Sequence, residues 1–303
     1  MRRPLAALIV FGLAGVASPW RTGAQELEPR TYSPNPVGMN FVAVAVGRSR
    51  GDVVFDPALP VEDVDAHLTS AALAYGHTFG VFDRTTTLAF AVPYVSGNAS
   101  GAVGGTRDEV HRAGLGDARL RLGVSLFGGP ALTPEEFARR TPHPVVGASV
   151  VVVAPTGQYD GTHLINIGSN RWAFKPEIGV SYPIGRFFVE GYAGVWLFTD
   201  NDDYLGGSRR SQDPLATFQA HVSYTVRRGL WIAADATHYS GGRTQTNDVQ
   251  RSNRQSNTRV GLTLSLPLEQ GQSLKLVWSE GTTVRFGGDF RTLSIAWQRA
   301  WLK

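Results

Sequence analysis

Ten ionisable residues fall on one parity of alternating segments: Asp117, Arg119, Arg121, Lys175, Glu177, Glu190, His221, Asp235, Arg259 and Lys275. Side chains of both signs on one face can do two things. They can ring a watered pathway and orient a passing solute, or pair with one another and fill the space. The near balance of the two signs favours mainly structural networks that line a narrow path. A second set, His238 and Ser240, has the residue types of a base and a nucleophile, with Asn253 as an orienter. Their parity is that of Leu230, Ile232, Ala234 and Ala236, the apolar side, where a lipid hydrolase would need them. His-x-Ser is a weak motif and Asn253 falls in a loop, so hydrolysis is the lesser reading.

Nothing indicates a metal or a cofactor. The histidines His67, His77, His111, His143, His163, His221 and His238 show no zinc spacing. Asp200, Asp202 and Asp203 could hold a divalent ion between lipopolysaccharide phosphates, but they do not follow the EF-hand pattern. A solvated loop face is the better reading.

The elements that carry these residues are strands with two different faces. Ala216, Phe218, Ala220, Val222, Tyr224 and Val226 interleave with Thr217, Gln219, His221, Ser223 and Thr225. Leu120, Leu122, Val124 and Leu126 interleave with Arg119, Arg121, Gly123 and Ser125, and segments around Phe174 and Leu262 behave alike. A strand with hydrocarbon on one side and water on the other must alternate in this way. The pattern predicts about twelve strands, at 38–48, 65–78, 84–95, 115–127, 144–157, 171–183, 186–199, 214–226, 230–241, 256–266, 273–284 and 290–302. The first, second and fifth are ambiguous, because Val, Ala and Ser there occupy both parities.

The connections alternate long and short, with long loops near 51–63, 97–114, 159–170, 201–212 and 242–254. In an outer-membrane barrel the long loops are extracellular and the short turns periplasmic. The loop 97–114 is the best candidate to fold inward. Thr133-Pro-Glu-Glu136 predicts a capped periplasmic helix through Arg140. Tyr94, Tyr182, Trp196, Trp231, Trp297 and Trp301 are expected to form aromatic belts at the headgroups.

Composition agrees. The chain of 303 residues has 35 Gly, no Cys and 42% hydrophobic residues. Residues 1–24 read as a signal peptide: Arg2 and Arg3, an apolar run from Leu5 to Val16, and small residues before Gln25. That run is about 12 residues, short of the ~20 that a spanning helix needs. Of 29 basic residues, Arg2, Arg3 and Arg21 lie in this leader, which leaves 26 against 25 acidic ones. Nucleic-acid binding is not suggested.

Several blocks also resemble one family. They are Glu26-Leu-Glu-Pro-Arg-Thr-Tyr-Ser-Pro-Asn-Pro-Val-Gly-Met-Asn40, Gly114-Leu-Gly-Asp-Ala-Arg-Leu120, Ala154-Pro-Thr-Gly-Gln-Tyr-Asp160, Asn166-Ile-Gly-Ser-Asn-Arg-Trp-Ala-Phe-Lys-Pro-Glu177 and Gly241-Gly-Arg-Thr244. In this order they resemble the outer-membrane transporter family named for the meta pathway of phenol degradation, over nearly the whole mature chain. The resemblance implies a Gram-negative outer-membrane barrel that passes small hydrophobic or aromatic compounds. His238-Tyr-Ser240-Gly-Gly242-Arg243 separately resembles the nucleophile region of outer-membrane phospholipase A, another barrel of about twelve strands.

The expectation is therefore an all-β protein: a monomeric transmembrane antiparallel β-barrel over 38–303, preceded by a periplasmic segment over 25–37. Its partners would be membrane lipid and lipopolysaccharide, a small-molecule solute moving down its gradient, and the outer-membrane assembly machinery. The ending Trp301-Leu302-Lys303 departs from the terminal aromatic which that machinery prefers.

Overall fold

The computed structural model describes residues 27–54, 61–103, 106–269 and 271–302; the leader expected over 1–24 lies outside the described residues. The elements in chain order are β1 (Met39–Val54), β2 (Val61–Val81), β3 (Arg84–Val103), β4 (Thr106–Leu115), β5 (Arg119–Phe127), α1 (Pro134–Arg139), β6 (Val145–Val153), β7 (Ala173–Ile184) and β8 (Phe187–Phe198). They continue with β9 (Asn201–Tyr204), β10 (Ser208–Gln212), β11 (Leu215–Arg227), β12 (Leu230–Gly241), β13 (Thr244–Thr246), β14 (Val249–Gln250), β15 (Gln255–Pro267), β16 (Gln272–Thr283) and β17 (Gly287–Leu302).

One antiparallel sheet runs β2-β1-β17-β16-β15-β12-β11-β8-β7-β6-β5-β3-β4, and the additional β2–β3 pairing closes it into a barrel. β4 pairs with the outer half of β3 and β5 with its inner half, so the two form a single interrupted stave and the barrel has twelve. The interruption has a local cause. Pro93 lacks the N–H that would point at this stave, and opposite it Gly116 donates its own N–H to the Pro93 carbonyl at 2.8 Å. The first and last staves meet from Met39↔Leu302 to Val54↔Gly287, which leaves the wall without a free edge there.

The solvent preferences are inverted relative to a water-soluble protein. Val44, Val46, Leu73, Phe90, Leu122, Ile178, Val222, Leu262 and Ile295 are exposed on the outer face, whereas Lys175, Glu177, Glu190, Asp235, Arg259 and Lys275 are buried inside. In lipid this arrangement suits a closed barrel, whose inter-strand pairing keeps the backbone of the wall hydrogen-bonded. At the short end of the barrel, the hairpin between β2 and β3 turns on Phe82 and Asp83, both with positive φ (45° and 59°), as a type I′ turn requires. α1 forms as its cap predicts: the Glu136 N–H donates to Thr133 Oγ1 (3.3 Å) and the Thr133 N–H to Glu136 Oε2 (2.9 Å).

Three expectations are corrected. The stretch 97–114 is not an inward loop: its described residues, 97–103 and 106–114, continue β3 and β4 as paired strands. The loops at 201–212 and 242–254 are ordered into a small sheet, β14-β13-β10-β9. Trp196 and Trp231 do not join an aromatic belt, because both are fully buried on the inner face. The parity that turns Glu190 inward also turns Trp196 inward, and that of Asp235 does the same for Trp231. Tyr94, Tyr182 and Trp301 do face outward.

Candidate functional site in the lumen

The lumen is occupied. Residues 27–38, most of the segment 25–37 expected in the periplasm, run within the barrel and take their partners from the inner faces of six staves. Glu28 receives a 2.8 Å ion pair from Arg121 on β5. The Arg30 N–H donates to Glu190 on β8 (2.7 Å), and the Arg30 side chain donates to Ser223 (3.0 Å) and Thr225 (2.7 Å) on β11. The same guanidinium lies 4.6 Å from the ring centroids of both Phe188 and Trp231. The Tyr32 hydroxyl donates to Glu177 Oε1 on β7 (3.0 Å) and contacts Ser149 on β6 (3.0 Å).

Glycine makes room for this segment. Gly147 and Gly179 face each other across β6 and β7, and a β-carbon on either would lie 2.3 and 2.2 Å from the Tyr32 ring, respectively. Gly76 opens the same kind of space for Phe41. At the short-turn end the segment is tied down by Val37 N–H to the Leu132 carbonyl (2.9 Å) and by Thr78 Oγ1 to the Pro36 carbonyl (2.6 Å). Between the segment and the β3–β5 wall a cavity of about 50 Å³ remains, bordered by Tyr32, Phe41, Ala89, Arg121 and Val124.

Nine of the ten ionisable residues predicted for the interior lie on the inward parity of their staves, Asp117 lies in the break between β4 and β5, and most are paired. Lys175 Nζ is 2.9 Å from Glu177 Oε2, which also accepts from Gln219 (3.1 Å), while Arg121 stands 3.6 Å from Glu177 Oε1. His221 Nδ1 is 2.7 Å from Asp235 Oδ1, and Thr263 donates to Asp235 Oδ2 at 2.7 Å. Arg259 donates to the Phe290 carbonyl (2.6 Å) and to Ser279 (3.2 Å). Lys275 Nζ lies 5.8 Å from the Trp231 ring centroid, and Arg119 shares the inner face with its cross-strand partner Val153. Asp117 sits in the break between β4 and β5. It accepts from the Gly157 and Ser169 N–H groups at 2.9 Å each, so its carboxylate holds a loop.

That loop, 154–172, covers the outer mouth. Ile165 packs against the inner-face cluster of Val64, Ala66, Leu68, Ala99 and Phe290, and Arg112 donates to the Ile165 carbonyl at 3.2 Å. Above the charged level the opposite wall is apolar: Val151, Val153, Ala173, Trp196, Leu215 and Tyr239 form one cluster with Phe198 against it. Lys175 Nζ and the Arg171 guanidinium stand over Trp196 (5.5 Å) and Phe198 (4.3 Å). Sequence reasoning missed Arg30, Tyr32 and this aromatic wall. For the wall the signal was present in the parity of β8.

His238 and Ser240 face outward, as their parity predicts. His238 Nδ1 meets Thr258 Oγ1 at 2.9 Å. Asn253 bonds the N–H and hydroxyl of Thr244 (2.9 and 2.8 Å), so it does not orient the imidazole. In the acidic loop, Asp200 and Asp202 both pair with Arg209.

Comparison with known proteins agrees with this architecture. The family described as "Putative MetA-pathway of phenol degradation" matches residues 46–295. Among solved structures, the COG4313 outer membrane channel from Pseudomonas putida F1 superposes with a TM-score of 0.77 at 22% identity, over 91% of this chain and 100% of that one. The P. putida toluene transporter TodX gives 0.51 at 10% identity, over 91% and 92% of the two chains. The β domain of the Bordetella autotransporter BrkA gives 0.50 at 10% identity, over 86% and 99%. No curated protein matches the chain.

Proposed function

The chain belongs to the family of the MetA-pathway of phenol degradation, and from that premise we propose that it is an outer-membrane channel for passive passage of small hydrophobic or aromatic compounds. The observation that carries this reading is the lumen wall of Trp196, Phe198, Leu215 and Tyr239 above the charged level. A porin for hydrophilic solutes keeps a polar, water-filled interior. The apolar wall is covered in this structure, with Trp196, Leu215 and Tyr239 fully buried; uncovered, it would offer a planar hydrocarbon somewhere to leave water. Toluene is named as the cargo of one structural neighbour, TodX, which makes a monocyclic aromatic a reasonable first solute to try.

The ten interior residues have two roles in this reading. Asp117 holds the mouth loop, while the pairs on β7, β11 and β12 keep the wall rigid and give the internal segment fixed anchors. Passage requires that segment to move, because a cavity of about 50 Å³ holds water, whereas an aromatic ring needs on the order of 150 Å³. The chain works as a monomer and the solute gradient is the driving force.

The test is flux. Purified protein in liposomes should speed entry of toluene or phenol over protein-free liposomes, and should admit sugars of similar size poorly. Equal rates with and without protein for every solute would leave a structural barrel that conducts nothing. The hydrolase reading is checked on the same preparation: Ser240→Ala is expected to leave phospholipid turnover at the level of the parent.

A further inference from the structure

The outer wall carries a basic patch that the lumen does not explain. On β1 the outward positions read Val44, Val46, Arg48, Arg50, all exposed, so hydrocarbon gives way to charge within one pleat. Arg50 pairs across strands with Arg291 on β17 and with His67 on β2, and Arg48 stands between Leu293 and Thr69. Arg291 is held by Glu280 at 2.6 Å, and His67 by Asp65 at 2.7 Å. Arg48 and Arg50 have no ion pair or side-chain hydrogen bond among the described residues. A groove of about 750 Å³ runs between them, bordered by Trp278, Leu293, Arg291 and His67.

Height along the barrel gives this patch its meaning. Ten residues separate Asn40 and Trp301, at the periplasmic end, from Arg50 and Arg291. At about 3.3 Å per residue and a tilt near 40°, that is roughly 25 Å along the membrane normal, the height of the apolar band. The arginines therefore stand at the outer hydrocarbon boundary. The outer halves of β6, β7, β8, β11, β12 and β15 show no outward arginine or lysine, and the outward Arg107 of β4 lies farther out. One pleat further out lies an acidic row, Asp52, Asp65 and Asp289, at the level of a glycolipid's sugars rather than its phosphates.

We propose that Arg48, Arg50 and Arg291 form a binding site for the phosphates of an outer-leaflet glycolipid, lipid A of lipopolysaccharide, with its acyl chains against Val46, Leu293 and Trp278. Guanidinium forks match phosphate oxygens in pairs, and two arginines with no protein partner beside an apolar groove suit an amphiphile better than a free ion. The inference rests on outer-membrane placement and not on what crosses the lumen.

The test uses the full barrel in detergent micelles, titrated with lipid A carrying both phosphates, with the same lipid A after dephosphorylation, and with inorganic phosphate, read by native mass spectrometry. Phosphorylated lipid A should bind about tenfold or more tightly than the dephosphorylated form, and inorganic phosphate should not bind. The double variant Arg48→Gln/Arg50→Gln should lose that preference, whereas Arg107→Gln, an arginine farther out on β4, should keep it. Equal binding of both lipid A forms, binding of inorganic phosphate alone, or a folded double variant with the parent's preference overturns the proposal. If the double variant does not fold, the comparison of the two lipid A forms on the parent decides alone. Solute flux should be unaffected by the double variant, so a failure here is separable from a failure of the channel reading.

Discussion

Gly179 and Tyr32 occupy complementary space: a β-carbon on Gly179 would lie 2.2 Å from Tyr32 Cε2, far inside van der Waals contact. The ring is also fixed by its hydroxyl on Glu177 and Ser149, so it cannot slide aside while keeping these bonds. Gly179→Val should therefore expel Tyr32 and loosen the internal segment; it must also shift the Tyr192 ring on β8, 2.7 Å from the added carbon, although valine itself suits a strand. The expected result is a conductance in planar bilayers several-fold above the parent, matched by Tyr32→Ala. A Gly179→Val channel with parental conductance and full protection of residues 27–38 in hydrogen exchange would refute the idea that this contact seats the segment.

Arg30 is the second anchor. Its guanidinium sits between Phe188 and Trp231 and donates to Ser223 and Thr225. Replacement by alanine removes two aromatic contacts and two hydrogen bonds, a loss of about 3 kcal/mol in the docked state, or roughly a hundredfold in the docked-to-undocked ratio. Arg30→Ala should show frequent openings in single-channel recordings, and Arg30→Lys should show an intermediate frequency because the ammonium cannot fork. Identical open fractions in all three proteins would show that Arg30 has no part in closure.

The buried pair of Lys175 and Glu177 makes a prediction about stability rather than flux. Both side chains are almost completely shielded, and removing one charge leaves the other desolvated. Glu177→Gln should lower the unfolding free energy by roughly 3–5 kcal/mol, whereas the double variant Lys175→Met/Glu177→Gln should recover much of that loss. Urea unfolding of the refolded barrel, followed by its heat-modifiable gel migration, measures both. A single variant as stable as the parent would mean that water reaches the pair.

The barrel was legible because its staves answer to two solvents, and parity alone sorts Lys175, Glu177, Glu190, His221, Asp235 and Arg259 to the inside. The same parity would have turned Trp196 and Trp231 inward. Their size and position near strand ends pointed instead to a membrane belt, and packing overrode that habit of tryptophan because the lumen had Arg30, Lys175 and Lys275 to cover them. The internal segment was not legible. With Pro29, Pro34 and Pro36 it has no period, and its burial depends on partners 100 to 200 residues away in the chain, such as Ser149 and Thr225. The break at Gly116 was equally hidden, since it follows from Pro93 on the neighbouring stave.

Acidification should loosen α1, the capped helix at the short-turn end of the barrel. The backbone N–H and hydroxyl of Thr133 both donate to Glu136, and these bonds hold its carboxyl below the usual carboxylate value. The folded helix thus favours the ionised form. Its contribution is complete above the unfolded pKa of about 4.3 and is lost as the pH falls through the lower folded value. Amide exchange in residues 135–139 should accelerate below about pH 4, with the barrel amides unchanged. Thr133→Ala removes the cap at any pH, which costs about 1 kcal/mol or fivefold in local protection, and should flatten the pH response. If the variant and parent exchange alike at every pH, the capping box is not what orders this turn, and α1 must be held by its connections to β5 and β6 alone.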